Sequence, residues 1–483
     1  MDSGTRHNLR MIFLFCLLHL IASYDTYLPP NHQTLRQIVV DDVSGNVYLG
    51  ADNFLCQLTP DLSLMHDVKL GPVKDNAECI PATAKINSGT CLDPMAKLKD
   101  TDNIVKVLVI DQHSSALIIC SNVYQGSCQM RNLGNIEELI NYPTSEGHWV
   151  IANKGDNASF GFIAAGPSGT NVFYVGASYA EPDSALVILP SIAIRKIDKK
   201  NAEQMFKLYK DSISEGKRTV TRSRSRNAHV IYNGGFPSGR FRYISTIKPI
   251  TPGSGVYKSR LTRICQSDEG DYKNRKLISY TESHLECKKE GVNYQLLQAI
   301  AIGKAGPELA TRLRIISQSD IVIALFAQAK EGTAEAQGNS AICIYTIKEI
   351  ELAFENKTRD CWNGKGFSGL SFDGQNNRPK CNAQTKHFNP CNVLANSPLE
   401  LDNAITKKAA FVLQDDIMLS LAVNSHKDYS VAFIGTSNGK LLKVCETILF
   451  NYHIVYNNNN TDNNNICNIY NNNNNTWIPL RKI

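Results

Sequence analysis

Residues 116–130 read ALIICSNVYQGSCQM: five apolar residues in succession from Ala116 to Cys120, a turn holding Asn122 and Gly126, and a second run from Cys128. An apolar run this short, bounded by turn-forming residues, reads as a strand buried on both faces. Working outward, the same order of run, turn and run recurs in VYLGADNFLCQL (47–58), VFYVGASYAEPDSALVIL (172–189), FRYISTIKPITPGSGVYKSRLTRIC (241–265), IVIALFAQAKEGTAEAQGNSAICIYTI (321–347) and VAFIGTSNGKLLKV (431–444). Ahead of most copies stands a further β-type run: LRQIVVDD (35–42), NIVKVLVID (103–111), LLQAIAIG (296–303) and IMLSLAV (417–423). Three strands per unit, repeated at uneven spacing with no Pro/Gly/Ser-rich linker between units, predict an all-β chain folded as a β-propeller with insertions in its loops.

The chain has 483 residues, 51 Lys+Arg against 45 Asp+Glu, and 42% hydrophobic residues. That composition excludes disorder over most of its length, and a net charge of +6 gives no ground for a nucleic-acid partner. Residues 1–23, MDSGTRHNLRMIFLFCLLHLIAS, combine Arg6 and Arg10 with an apolar stretch from Met11 to Ala22 and small residues after it; they read as a secretory signal peptide. No later segment is apolar for long enough to cross a bilayer, so membrane insertion by this chain is not expected. Fourteen cysteines without a CxxC pair point to disulfides of an extracellular protein, not to zinc. Sequons at Asn157 and Asn356 fit surface loops able to carry glycans.

Composition breaks once. The stretch 446–483 holds fourteen asparagines and little that could build a core. It reads as a low-complexity tail, either disordered or outside the native coding sequence.

With those runs in place, LGPVKDNAEC (70–79), ICSNVYQGSC (119–128), GVNYQLLQA (291–299) and GTSNGK (435–440) together resemble the N-terminal sema domain of plexins. The resemblance covers 24–445 and implies a seven-bladed propeller with an insert in blade five. Six hairpins are counted in this sequence, so the expectation is of about six encoded blades, incomplete at the C-terminal end. It also implies a disulfide scheme: Cys79 with Cys91, Cys120 with Cys128, Cys265 with Cys391, Cys287 with Cys343, and Cys361 with Cys381. Cys56 and Cys445 fall outside that scheme, as buried thiols or as an additional pair. The stretch from about 346 to 400 resembles the extrusion that sema domains carry, tied down by two of these bridges.

Catalytic motifs are not found: GTSNGK lies between two strands and is a turn, not a phosphate loop, and neither GxSxG nor HExxH occurs. No metal or cofactor is expected. One basic group stands out, Lys217, Arg218, Arg222, Arg224 and Arg226, without an acid among them. It reads as a solvated loop or as a contact with an acidic protein surface or a sulfated glycan. The resemblance places it near blades three and four and makes it the candidate contact for a semaphorin. The function so implied is ligand recognition by the extracellular domain of a cell-surface receptor in axon guidance and cell migration, with homodimer or co-receptor contacts possible. A secreted decoy receptor and a semaphorin-type ligand are the alternatives.

Overall fold

The computed structural model describes residues 34–76, 79–80, 90–91, 95–141, 149–155, 158–178, 191–209, 219–220, 230–251, 254–268, 277–370, 378–385, 387–391, 396–425, 429–445, 468–471 and 476–479. The leader, Asn157, most of the tail and all five residues of the basic group lie outside them.

Six antiparallel sheets follow one another along the chain. Blade one comprises Leu35–Val40, Val47–Ala51, Phe54–Leu58 and Leu64–Lys69. Blade two runs from Val105–Asp111 through Ala116–Ser121 and Cys128–Asn132 to Leu139–Asn141, and blade three from Ser159–Ala165 through Asn171–Ala177 and Ile192–Lys196 to Thr219–Val220. Blade four is built on Ile231–Ser238, Phe241–Pro249, Tyr257–Cys265 and Thr281–Lys289. Blade five takes Leu296–Lys304, Asp320–Ala329, Ala336–Thr346 and Phe411–Leu413, and blade six has three described strands, Met418–Ser425, Ser430–Thr436 and Leu441–Cys445. The first strands of successive blades stand side by side, blade one next to two and so on to six. This is the arrangement of a β-propeller.

The packing explains the sequence pattern. Each junction between blades has its own core: Tyr48, Leu55, Leu108 and Leu117 join blades one and two, and Ile118, Met130, Phe173 and Val175 join two and three. Tyr174, Ile194, Tyr232 and Ile264 join three and four, Tyr243, Leu261, Val322 and Phe326 join four and five, and Ile323, Leu325, Ile434 and Val444 join five and six. A strand in the middle of blades two to five meets a different neighbour on each face, which favours apolar residues on both. Burying such side chains contributes about 1.5–3 kcal/mol each.

Two details depart from the reading of three strands per unit. Blades one to five each carry a fourth, outer strand, short enough in Leu139–Asn141 or Thr219–Val220 to give no periodic signal. In blade three the third strand is Ile192–Lys196, C-terminal to the ALVIL run at 185–189.

The largest insertion separates the third and fourth strands of blade five. It opens with a helix, Ile347–Trp362, started by a capping box in which Thr346 accepts from the Glu349 amide and Glu349 accepts from the Thr346 amide. The helix buries Ile350, Phe354 and Cys361. Beyond it, Leu399–Glu400 and Ile405–Lys408 run parallel to the outer strand of blade four, with Thr281 opposite Leu399 and Lys288 opposite Lys408. The insert thus belongs to blade five in sequence and to blade four in hydrogen bonding. In the tail, 468–471 and 476–479 pair as a short antiparallel ladder.

Candidate functional site

The basic group brackets Thr219 and Val220, which pair with Ala193 and Ile192 at the outer edge of blade three. Ile192 shares its core with Tyr280, the residue just before the outer strand of blade four. Strand alternation carries the face of Tyr280 on to Glu282, His284, Glu286 and Lys288. The outer strand of blade four therefore carries a row of polar side chains on this face, buried at one end and exposed at the other.

At the buried end, Glu282 is fully enclosed. Its carboxylate accepts from Lys248 Nζ at 2.6 Å and from the Tyr280 hydroxyl at 2.7 Å, and it takes Arg260 Nη1 on its other oxygen. Arg260 also donates to Glu400 Oε1 at 2.8 Å, from the insert strand, and His284 Nε2 lies 3.4 Å from the same oxygen. Burial pushes the Glu282 carboxyl up, but Lys248 and Arg260 outweigh it and hold it below the usual range. Tyr280 is driven well above its ordinary value by burial and by the Glu282 charge. Fully buried, Glu282 can stay ionised in this way because Lys248 and Arg260 lie within contact distance.

Toward solvent, Glu286 takes Lys288 at 2.6 Å, Lys258 at 4.0 Å and the Thr406 hydroxyl at 2.9 Å. This end is a paired, polar surface. The buried end holds the insert against blade four.

A second cation is handled differently. Arg263, fully buried, lies over Phe241 at 4.3 Å and Phe354 at 4.9 Å, and burial lowers its pKa to about 10. It attaches the insert helix to blade four through aromatic faces.

Two of the recognised motifs meet in space. In the hairpin after Cys120, Tyr124, Gln125 and Gly126 all have positive φ. Gly126 is obligatory, since a Cβ there would stand 1.9 Å from the Ile151 carbonyl oxygen. Asp75, from LGPVKDNAEC, accepts the Tyr124 amide at 2.8 Å, and Gln125 Nε2 donates to the Cys79 carbonyl at 2.7 Å. GTSNGK is a turn between two strands of blade six, its Thr436 and Ser437 hydroxyls donating to Asp416.

Among the described residues five disulfides are present: Cys79–Cys91, Cys120–Cys128, Cys265–Cys391, Cys287–Cys343 and Cys361–Cys381. The third and fourth tie blade four to the insert and to blade five. Cys56 is buried in blade one. Asn356 is exposed, on the insert helix and not in a loop. Among the described residues, no group of three or more His, Cys, Asp or Glu is placed to hold a metal ion, and no helix is long and apolar enough to cross a membrane.

The buried charges were not selected from sequence. Lys248, Arg260, Glu282 and Glu400 sit in alternating strands where each looks solvent-facing, and nothing in the order of residues separates them from surface charges. The helix did leave a signal, Thr346–Glu349 as a capping box followed by Ile350, Phe354, Thr358 and Cys361 at helical spacing.

Comparison with known proteins agrees with this architecture. The Sema domain family model matches residues 297–469, running past Cys445 into the tail. Plexin-A4 of Mus musculus is 28% identical over 437 residues, covering 87% of this chain and 22% of its own length. The chain thus spans about a fifth of the curated relatives it matches. The solved plexin A4 full extracellular region superposes with a TM-score of 0.75 at 27% identity, over 88% of this chain and 46% of that one. The structure described as Drosophila Plexin A in complex with Semaphorin 1b shares the fold, with a TM-score of 0.54 at 14% identity, over 87% of this chain and 75% of the other. The Sema domain family model thus matches the part of the chain that holds blades five and six, and the proteins the chain is similar to across most of its length are plexins.

Proposed function

We propose that the chain is the extracellular ligand-recognition domain of a plexin-type cell-surface receptor, and that its ligand is a semaphorin. The observation that carries this reading is the extended similarity to plexin ectodomains, with the same propeller. The solved complex of a plexin with a semaphorin supports the choice of partner.

The physical reading agrees. Blades four and five are locked by the Cys287–Cys343 bridge, the buried ion network and the parallel insert strands. That is a rigid support of the kind a binding surface needs, since little order has to be gained on association. The basic group 217–226, which brackets Thr219 and Val220 in sequence, would supply the cations for an acidic protein surface. In this role the domain performs no chemistry; dimeric ligand would bring receptors together, and signalling would rest elsewhere in the receptor.

The test is direct binding. The full chain, secreted from eukaryotic cells and immobilised, should bind at least one member of a panel of dimeric semaphorin ectodomains, with saturation and with weakening at raised salt. Binding to plexin ectodomains and to no semaphorin would show that the chain is itself a semaphorin-type ligand.

A further inference from the structure

Between the insert helix and residues 401–407 lies a cleft of about 420 Å³ with mixed polar and apolar walls, within the roughly 300–1,000 Å³ of small-molecule sites. Its walls are charged. Lys357 pairs with Asp402 at 2.8 Å and Lys407 with Glu349 at 2.7 Å, leaving Asn403, Thr406 and Asp360 as further polar lining. Asn356 is part of that lining and is exposed. It is also the acceptor of the sequon Asn356-Lys357-Thr358.

The rest of the sequon is not accessible. Thr358 has no exposed surface, and its hydroxyl donates to the Phe354 carbonyl at 2.7 Å. Lys357 is 6% exposed. An enzyme that must read the threonine hydroxyl cannot do so once the helix has formed and docked.

We propose that Asn356 is N-glycosylated before this helix folds, and that the cleft then seats the first sugars of the chain's own glycan. The inference rests on the reading of residues 1–23 as a secretory leader. In the modification, the Asn356 side-chain nitrogen forms a bond to the anomeric carbon of a lipid-diphosphate-linked oligosaccharide. The bond from that carbon to the diphosphate oxygen breaks, the lipid diphosphate leaves, and the amide gives up one proton. On folding, Asn356 stays at the mouth of the cleft, and the sugar hydroxyls and acetamido groups meet Asp360, Asn403 and Thr406. The modified helix then shields this side of the insert from other proteins.

The experiment expresses the full chain through a eukaryotic secretory pathway, maps glycopeptides by mass spectrometry, and follows release by peptide-N-glycosidase F from native and denatured protein. Asn356→Gln serves as the blank. Asn356 should be occupied, and release from the native protein should be at least about tenfold slower than from denatured protein, the factor that roughly two hydrogen bonds supply. Asn403→Ala and Thr406→Ala should bring the native rate toward the denatured one. Unglycosylated folded chain, made under tunicamycin, should remain unmodified when offered to the transferase afterwards. A cleaved leader with a bare Asn356, equal native and denatured rates, or modification of the folded chain would each overturn the proposal and leave the secretory reading intact. An uncleaved leader with no glycan on any sequon would overturn both.

Discussion

Arg260 and Glu400 are 140 positions apart in sequence and 2.8 Å apart in the fold. The contact closes the insert of blade five onto blade four from inside, where Arg260 has no exposed surface and Glu400 is 3% exposed. A buried ion pair is a weak net stabiliser against an apolar equivalent, but removing one member leaves a buried charge without compensation.

Glu282→Gln therefore should destabilise the domain by about 3–5 kcal/mol near neutral pH, through Lys248 and Arg260 left in excess. The sign with pH follows from the lowered carboxyl. Stability from Glu282 is fully present above its ordinary value of 4.5 and is lost as pH falls through the folded-state value. Chemical denaturation of both proteins from pH 7 to pH 3 should show the gap between them closing toward acid; a constant gap would argue that Glu282 is not ionised in the fold.

Asp75 has the opposite sign. Burial raises its carboxyl above the ordinary 3.8, against the pull of the Tyr124 and Asn76 amides. The protonated form is favoured in the fold, so the stability it adds is present below the ordinary value and fades as pH rises through the folded one. Asp75→Asn, which keeps an acceptor for Tyr124, should be as stable as the parent or more so at pH 7. Asp75→Ala should lose about 1–3 kcal/mol for the amide left unmet. Thermal melts of the two variants at pH 7 test this; a destabilised Asp75→Asn would refute it.

Phe354 is fully buried, 6.4 Å from the Tyr243 ring and under the Arg263 guanidinium. Phe354→Ala should cost about 3–5 kcal/mol. The same change should expose the region around Thr358 and Cys361 to amide exchange ahead of the blades, as hydrogen exchange by mass spectrometry would read.

Replacing Arg222, Arg224 and Arg226 together by Glu should weaken semaphorin binding by about tenfold or more, chiefly through the association rate and with a reduced dependence on salt. Kinetics by surface plasmon resonance at two ionic strengths measure it. Unchanged rates in a folded variant would remove the basic group from the contact.

The legible part of this fold was its middle. In blades one, two and four to six, the apolar pairs in the sequence are the second and third strands, because those strands build the cores between blades. Short outer strands such as Thr219–Val220 are specified by their partner's edge and not by their own residues, so no pattern announces them. The insert was visible as a change of composition, yet its helix was not, although Thr346, Glu349 and Ile350 carried the start signal. The charged network was illegible for a plainer reason. Whether Glu282 is surface or core depends on Lys248, Arg260 and a strand more than a hundred residues later.

That last dependence has a consequence in time. At synthesis rates of roughly 5–20 residues per second, the 140 residues between Arg260 and Glu400 take roughly 7–28 s to emerge. During that interval blade four exists without the strand that completes its outer edge, and Arg260 waits beside Glu282 with one of its two acids still unmade. The insert helix emerges within the same interval, its sequon not yet enclosed, while the strand that will close over it has yet to be made.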